Sequence, residues 1–181
     1  IGFLGFYIYK FMYFLVCPKA NLISCNEKLF KGMNGQLVKP SQLNNNWLEK
    51  KTPADLSKIK LLYVGRLKKE KGIFSLINLL DKSNMNFSLS IMSNELTNNF
   101  NYKRKFINIL KNCDHELLIK IYDSHNIFIL PSYTESYSQV VDEALARGRP
   151  VIIFKEIEDI VFANRKGVFV ANRNTDSLEG K

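Results

Sequence analysis

An α/β fold, built on a parallel sheet with helices on both faces, is the architecture this sequence predicts. Three observations carry the prediction. Short apolar runs occur with little polar alternation, as in "KLLYV", "FSLSIM", "NIFIL" and "PVIIF", which is how strands buried on both faces read. Between them lie segments with apolar residues at helical spacing, such as Ile73, Phe74, Ile77 and Leu80. The two kinds of segment alternate at short intervals, the pattern of right-handed β-α-β crossovers.

The elements follow in chain order. With 181 residues, the chain is long enough for one domain and part of another. Residues 1–30 read as an aromatic helix ending at Cys17-Pro18, a short strand "NLISC" and a helix start at "NEKLF". Lys10 interrupts the opening run, which falls short of the ~20 apolar residues of a membrane-spanning helix. It carries no basic leader or small-residue cleavage site, so a signal peptide is not expected. Three readings of it stay open: a buried helix of a truncated domain, a helix lying on a membrane surface, or a true span. Residues 31–57 hold "GMNGQ", "KPSQLNNN" and "KKTPAD", glycine, proline and asparagine without apolar period, and read as a linker.

A second unit, residues 58–181, then begins. Strand "KIKLLYVG" (58–65) leads to the helix "GIFSLINLLDK" (72–82), and "FSLSIMS" (87–93) is the next strand. A polar helix is expected at "LTNNFNYKRKF", followed by the strand "FINIL" (106–110). "DHELLIKIYDSH" (114–125) is a helix with Asp114 as N-cap and Glu116 in its first turn. Strand "NIFIL" stops at Pro131, and "SQVVDEALARG" (138–148) is a helix that Gly148 ends. "RPVIIF" is a strand, "KEIEDIVFAN" a short helix, "GVFVA" the last strand, and "TDSLEGK" begins a helix.

Composition narrows the chemistry. A net charge of +9 suits anionic partners such as phosphorylated ligands, although a solvated lysine-rich surface is the plain alternative. No block of five like charges and no basic stretch with interleaved aromatics is present, so no nucleic acid partner is expected. Cys17, Cys25 and Cys113 are odd in number and form no C-x-x-C pair, which fits a reducing compartment and no disulfide framework. Two histidines, His115 and His125, are too few for a metal cluster, and no metal is expected.

In parallel sheets ligands bind beyond the carboxyl ends of the strands. Two chemically loaded segments stand there, "VGRLKKEKG" after the first strand of the second unit and "PSYTES" after "NIFIL". In the first, Gly65 permits a tight turn and Arg66 is a planar fork suited to phosphate oxygens. Lys71 follows, and Gly72 opens a helix. Cations on either side of a turn that faces a helix N-terminus form a diphosphate site. Neither a Walker loop nor G-x-G-x-x-G is present, and from spacing alone the segment is equally readable as a solvated turn.

In the second segment Glu135 and Glu143 stand eight positions apart. An acid/base pair of a glycosidase needs carboxyls ~5–9.5 Å apart. Eight helical residues rise ~12 Å and rotate the side chains off a common face. The two therefore read as separate contacts along an extended ligand, each able to accept bonds from sugar or ribose hydroxyls. The helix starting near Ser138 adds backbone N–H groups aimed at negative charge. Asp142 is expected to point toward solvent or a surface cation, while Val140, Val141, Ala144 and Leu145 form the buried stripe.

"VGRLKKEKG" together with "LPSYTESYSQVVDEALARGRPVI" resembles the C-terminal nucleotide-sugar-binding domain of family 4 glycosyltransferases, retaining enzymes of the two-domain GT-B fold. The G-R-L-x-x-x-K-G turn, the P-S at a strand end, the E-x7-E span and A-x-x-x-G-x-P-V-I occur in the family's order. The likeness covers residues 58–181, and "ANLISCNEKL" looks like the end of the family's acceptor domain. The resemblance implies a Rossmann-like domain, the C-terminal half of a GT-B fold, with residues 1–30 a remnant of the N-terminal acceptor domain. It implies that Arg66 and Lys71 bind the donor diphosphate and that Glu143 binds the ribose hydroxyls. Glu135 would face the donor sugar, and Gly65 and the backbone of Tyr137, Ser138 and Gln139 would contact the donor. Glu135, Arg66 and Lys71 would then serve the reaction, with no bound metal and no cofactor beyond the nucleotide-sugar substrate. The acceptor would be a glycan or lipid-linked hydroxyl. The basic charge and aromatic opening suit a cytoplasmic enzyme with peripheral contact at the inner face of the membrane.

This sequence departs from the family in places. Ser136, Tyr137 and Ser138 stand where a glycine, an aromatic and a glycine are usual. Leu110 and Lys111 replace a glycine near the base, and "FKEIEDI" lacks a glycine pair. Most of the acceptor domain has no counterpart here, so the chain is expected to be a fragment that does not turn over alone. Two further readings are a non-catalytic nucleotide-binding module derived from a transferase and another GT-B enzyme such as an epimerase or phosphorylase. A phosphoacceptor receiver is disfavoured, since "KIKLLYVGR" has no acidic cluster.

Overall fold

The structure, a computed structural model, describes residues 3–16, 22–25, 35–95, 104–160 and 165–181. It divides into two compact units, residues 1–40 and 41–181. In the first unit, helix α1 (Phe3–Val16) is aromatic and aliphatic around most of its circumference, and Phe3, Phe6, Tyr9 and Phe14 are all at least half exposed. At 14 residues it is too short to span a bilayer, and no helix among the described residues is long and apolar enough to cross a membrane. Strands β1 (Leu22–Ser24) and β2 (Gly35–Leu37) pair in parallel.

The second unit carries the sheet. Its elements are α2 (Asn45–Leu48), β3 (Ile59–Val64), α3 (Ile73–Leu80), β4 (Phe87–Met92), β5 (Ile107–Leu110), α4 (His115–Asp123), β6 (Ile127–Leu130), α5 (Gln139–Ala146), β7 (Val151–Phe154), β8 (Val168–Ala171) and α6 (Thr175–Glu179). The six strands β3 to β8 are parallel in the order β5-β4-β3-β6-β7-β8. Such an order reverses direction between β3 and β6, and the crevice at that switch point is where doubly wound sheets bind ligands.

Side-chain alternation along the strands builds two cores. Leu62, Phe128, Leu130, Val151 and Ile153 point to the face covered by α4 and α5, where Trp47, Tyr122, Val141 and Ala144 meet them. Leu61, Tyr63, Leu89, Ile91, Ile129 and Ile152 point to the other face, against Ile73, Leu76, Ile77 and Leu80 of α3. The expected α/β architecture, a parallel sheet with helices on both faces, is therefore the one found. Burial of both faces explains the near-continuous apolar strands.

Local signals translate as read at several points. Asp114 caps α4 by accepting from the Leu117 amide at 2.8 Å. Gly148 adopts φ 68° just past α5. Elsewhere the structure differs. The stretch read as a linker, 31–57, contains β2 and α2, and the division between units falls inside it, at Pro40–Ser41. Beyond that point the chain is tied to the second unit, because Trp47 is buried in its core and Arg147 captures the backbone around it. Lack of apolar period concealed this, since a single tryptophan and a set of carbonyls make the attachment. "KEIEDI" forms a 3₁₀ turn over Lys155–Ile160 with a non-helical Ile157, rather than a regular helix. The polar helix expected near 95–105 and the helix start at "NEKLF" lie for the most part outside the described residues.

Candidate functional site at the switch point

The loops after β3 and β6 meet beyond the carboxyl ends of the two strands where the sheet order reverses. The first runs from Gly65 to Gly72. Its stem is fixed by three bonds: the Gly65 amide donates to the Met92 carbonyl at 3.0 Å, the Tyr63 hydroxyl to the Arg66 carbonyl at 2.6 Å, and the Leu67 amide to Glu95 Oε2 at 2.9 Å. Burial lifts the Tyr63 pKa well above the usual range, with the charges of Glu135 and Glu95 adding to it, so the hydroxyl stays a donor. The chain bends at Gly65 as expected, without a positive φ. The requirement for glycine is one of space, because a Cβ there would lie 2.9 Å from the Tyr63 hydroxyl.

A 3₁₀ turn, Lys69–Lys71, follows, and Gly72 ends it at φ 67° while serving as N-cap of α3. Gly72 lies against the end of β6, and a Cβ built on it would sit 1.9 Å from the Pro131 carbonyl oxygen. Only glycine allows both the left-handed backbone and that approach. The Tyr133 amide donates to the Glu70 carbonyl at 2.8 Å, closing the two loops on each other.

Their contact sets the chemistry. Lys71 Nζ lies 2.6 Å from Glu135 Oε1, and Ser132 Oγ donates to the same oxygen at 2.8 Å. Glu135 is nine-tenths buried and Lys71 four-fifths, so this charge pair is less screened than a surface ion pair. Arg66, at the mouth of the first loop, is exposed.

Glu143 sits in α5 apart from this pair. Its Oε2 accepts from the Tyr122 hydroxyl at 2.9 Å, and the Tyr122 ring packs against Trp47 and Phe128. Burial holds the Glu143 carboxyl above the usual glutamate value, and the Tyr122 bond opposes part of that rise. Tyr122 itself is pushed far above its usual value by burial and by the neighbouring Glu143. Among the described residues Glu135 and Glu143 thus share no partner: the first meets Lys71 and Ser132, the second Tyr122.

Ser138 is buried and extended (φ −126°, ψ 101°) immediately before α5, and its hydroxyl does not cap the helix. Gln139 begins the helix, and the Tyr137 hydroxyl donates to Asp142 Oδ2. Of the two expected placements for Asp142, solvent or a surface cation, the structure takes the second: the residue is buried, accepts from Tyr137 and pairs with the partly exposed Arg165. Val141 and Ala144 are buried as the stripe predicts, with Val140 and Leu145 partly so. Among the described residues no group of three or more His, Cys, Asp or Glu could hold a metal ion.

Residues 45–181 match the family described as glycosyl transferases group 1. The chain belongs to this family. Among curated relatives it is 30% identical over 133 residues to the capsular polysaccharide biosynthesis glycosyltransferase CapM of Staphylococcus aureus, a match covering 68% of this chain and 35% of CapM. It is 28% identical over 130 residues to the uncharacterized glycosyltransferase MJ1607 of Methanocaldococcus jannaschii, covering 65% of this chain and 33% of that one. The chain thus spans about a third of the curated relatives it matches (35% and 33%). Among solved structures, Anabaena Alr3699/HepE, determined in complex with UDP and glucose, superposes with a TM-score of 0.69 at 14% identity, over 94% of this chain and 55% of HepE. At that identity the likeness is one of fold.

Sequence reasoning found the residues of both loops but missed their supports. Arg147 is fully buried, donating to Asp123 at 2.9 and 2.7 Å and to the carbonyls of Trp47, Glu49 and Lys50 at 2.8–3.1 Å. Arg149, two residues on, donates to the His125 carbonyl at 2.8 Å and to the Thr52 carbonyl. Two arginines flanking the helix-ending Gly148 were the available signal, since charged residues at a strand entrance must find partners when buried. Tyr122 and Ser132 gave no signal beyond their place in the matched segments.

Proposed function

We propose that this chain is the donor-binding half of a retaining glycosyltransferase of the family 4 type, with residues 58–181 forming the donor domain and residues 1–30 belonging to an acceptor domain. The reading rests on one observation above others: Lys71 and Glu135, from loops 64 positions apart, meet at 2.6 Å in the crevice where the sheet order reverses. Arg66 and Lys71 take the diphosphate of a nucleotide-sugar donor, Glu143 accepts from the ribose hydroxyls, and Glu135 faces the sugar beside the reacting carbon. Gly65 and the backbone of Tyr137, Ser138 and Gln139 line the same path. When the bond from the sugar to the diphosphate breaks, its electrons pass to the leaving oxygen, and Arg66 and Lys71 stabilise that charge without a requirement for metal. Preorganised contacts of this kind are worth ~3–4 kcal/mol each when removed from other enzymes. The acceptor hydroxyl attacks from the leaving-group face, its proton passing to the departing diphosphate oxygen, and configuration is retained.

The likeness to CapM, a capsular polysaccharide biosynthesis glycosyltransferase, supports a role in building a surface polysaccharide or glycolipid, with a glycan or lipid-linked acceptor. The apolar exterior of α1 and the net charge of +9 support a cytoplasmic location with peripheral contact at the inner membrane face. Calorimetric titration with UDP, GDP and ADP tests the reading, repeated on Arg66→Ala and Glu143→Ala. One nucleotide should bind, and both substitutions should weaken it. If neither the folded chain nor the longer protein that carries it binds any of the three, the reading is wrong.

A further inference from the structure

Arg173 lies in the turn between β8 and α6, remote in sequence from both site loops. Its guanidinium is sandwiched between the ring of Phe154 at 4.3 Å and that of Tyr133 at 4.1 Å. Nε donates to Glu156 Oε1 at 2.8 Å, and Nη2 donates to the Pro131 carbonyl at 3.0 Å, with the Ser132 carbonyl 3.4 Å away. Nη1 is buried without a partner among the described residues and lies 3.4 Å from where a Cβ on Gly72 would stand. The Arg173 bond is also the main cause that holds the Glu156 carboxyl below its usual value. A surface ion pair would need none of this enclosure.

The carbonyls it takes belong to the first two residues after β6, the stem from which Ser132 Oγ and Glu135 are presented to Lys71. One planar group therefore ties the ends of β6, β7 and β8 together behind the Lys71–Glu135 contact. Lysine could not replace it, because a point charge cannot lie flat between two rings while donating in its own plane to carbonyls and a carboxylate.

We propose that Arg173 is a positioning residue of the donor site, locking the Pro131–Ser132 stem so that Glu135 and Lys71 meet the diphosphate end of the ligand. The inference rests on the donor-site reading above. Its action on one end of the ligand separates it from a general structural role. Nucleoside diphosphates and the matching monophosphates are titrated into the wild-type chain and into Arg173→Met, Arg173→Lys and Tyr133→Leu. Arg173→Met should weaken the diphosphate by about tenfold or more, the worth of one lost charged hydrogen bond, and leave the monophosphate unchanged. Arg173→Lys should not restore it. Amide exchange at Tyr133, whose N–H donates to Glu70, should quicken in both Arg173 variants. Tyr133→Leu opens one side of the sandwich at an exposed residue and should act in the same direction, which serves if Arg173→Met does not fold.

Equal weakening of mono- and diphosphate, or an unchanged diphosphate affinity, overturns the proposal. Should neither the wild-type chain nor a longer form of the protein bind nucleotide, the functional reading fails by itself. Tyr133 exchange then decides Arg173, and an unchanged rate in Arg173→Met refutes the lock.

Discussion

Gly72→Ala is the perturbation whose consequence is worked most directly from the geometry. The added Cβ would stand 1.9 Å from the Pro131 carbonyl oxygen and 2.8 Å from its carbon, both backbone atoms. A carbon reaches a carbonyl oxygen no closer than ~3.3 Å, so the contact must open by ~1.4 Å. Pro131 cannot retreat easily, since Arg173 holds its carbonyl at 3.0 Å and β6 is paired on both sides. The Lys69–Lys71 turn must move instead. That displacement stretches the 2.6 Å Lys71–Glu135 contact to about 4 Å, the limit of an ion pair, and breaks the 2.8 Å bond between Tyr133 and Glu70. The left-handed φ of 67° adds ~1–2 kcal/mol for alanine, and the lost bond adds ~1 kcal/mol. Together these predict a loss of roughly 2–3 kcal/mol, seen as a fall of roughly 5–10 °C in Tm by circular dichroism. If Lys71 takes the donor phosphate as proposed, nucleotide affinity should fall in the same variant, because Lys71 moves by more than 1 Å; misplacements of that size cost ~10²-fold in other sites. A Gly72→Ala chain with wild-type Tm and wild-type affinity would refute the reasoning.

Other predictions follow from buried groups. Glu143→Gln keeps an acceptor for Tyr122 but removes the carboxylate. A pKa raised in the folded state means that the charged form destabilises the fold as pH rises through that value, so at pH 7 the substitution should leave Tm equal or higher while nucleotide binding is lost. For the same reason, nucleotide affinity should decline on acidification from a midpoint above that of an ordinary glutamate. Tyr122→Phe, which deletes a bond favouring the carboxylate, should move that midpoint further up in a calorimetric pH series. Arg147→Met leaves Asp123 and four carbonyls without this donor and should lower stability by ~3–5 kcal/mol in urea. Trp47, the chain's single tryptophan, should report that loss by a red-shifted fluorescence.

Much of the fold was legible because the sheet is buried on both sides. Strands β3, β4, β6 and β7 must be apolar on both faces, so each shows as an uninterrupted run, and the caps at Asp114 and Gly148 mark the ends of α4 and α5 through local bonding alone. Residues at the strand ends were legible for a related reason. The parallel order sends every β-to-α loop to one edge, so the sequence alone places Arg66, Lys71 and Glu135 at that edge. The attachment of residues 41–57 could not be seen, since it consists of one buried ring and a row of backbone carbonyls, and carbonyls leave no trace in sequence. For Asp142 the sequence allowed solvent or a surface cation, and only the fold names the cation, Arg165, which follows in a later loop.

By itself the sequence determined the layers, the strand-helix alternation, the caps and the list of charged groups at the sheet's carboxyl edge, because periodicity and turn chemistry act over a few residues. Only the tertiary structure decided which of those groups touch. Lys71 meets Glu135 across 64 positions, Tyr122 meets Glu143 across 21, and Arg173 reaches Pro131 across 42, through a strand order that no local pattern encodes. The glycine at 72 shows the division: its left-handed turn belongs to local chemistry, but the carbonyl pressed against it exists only once β3 and β6 lie side by side.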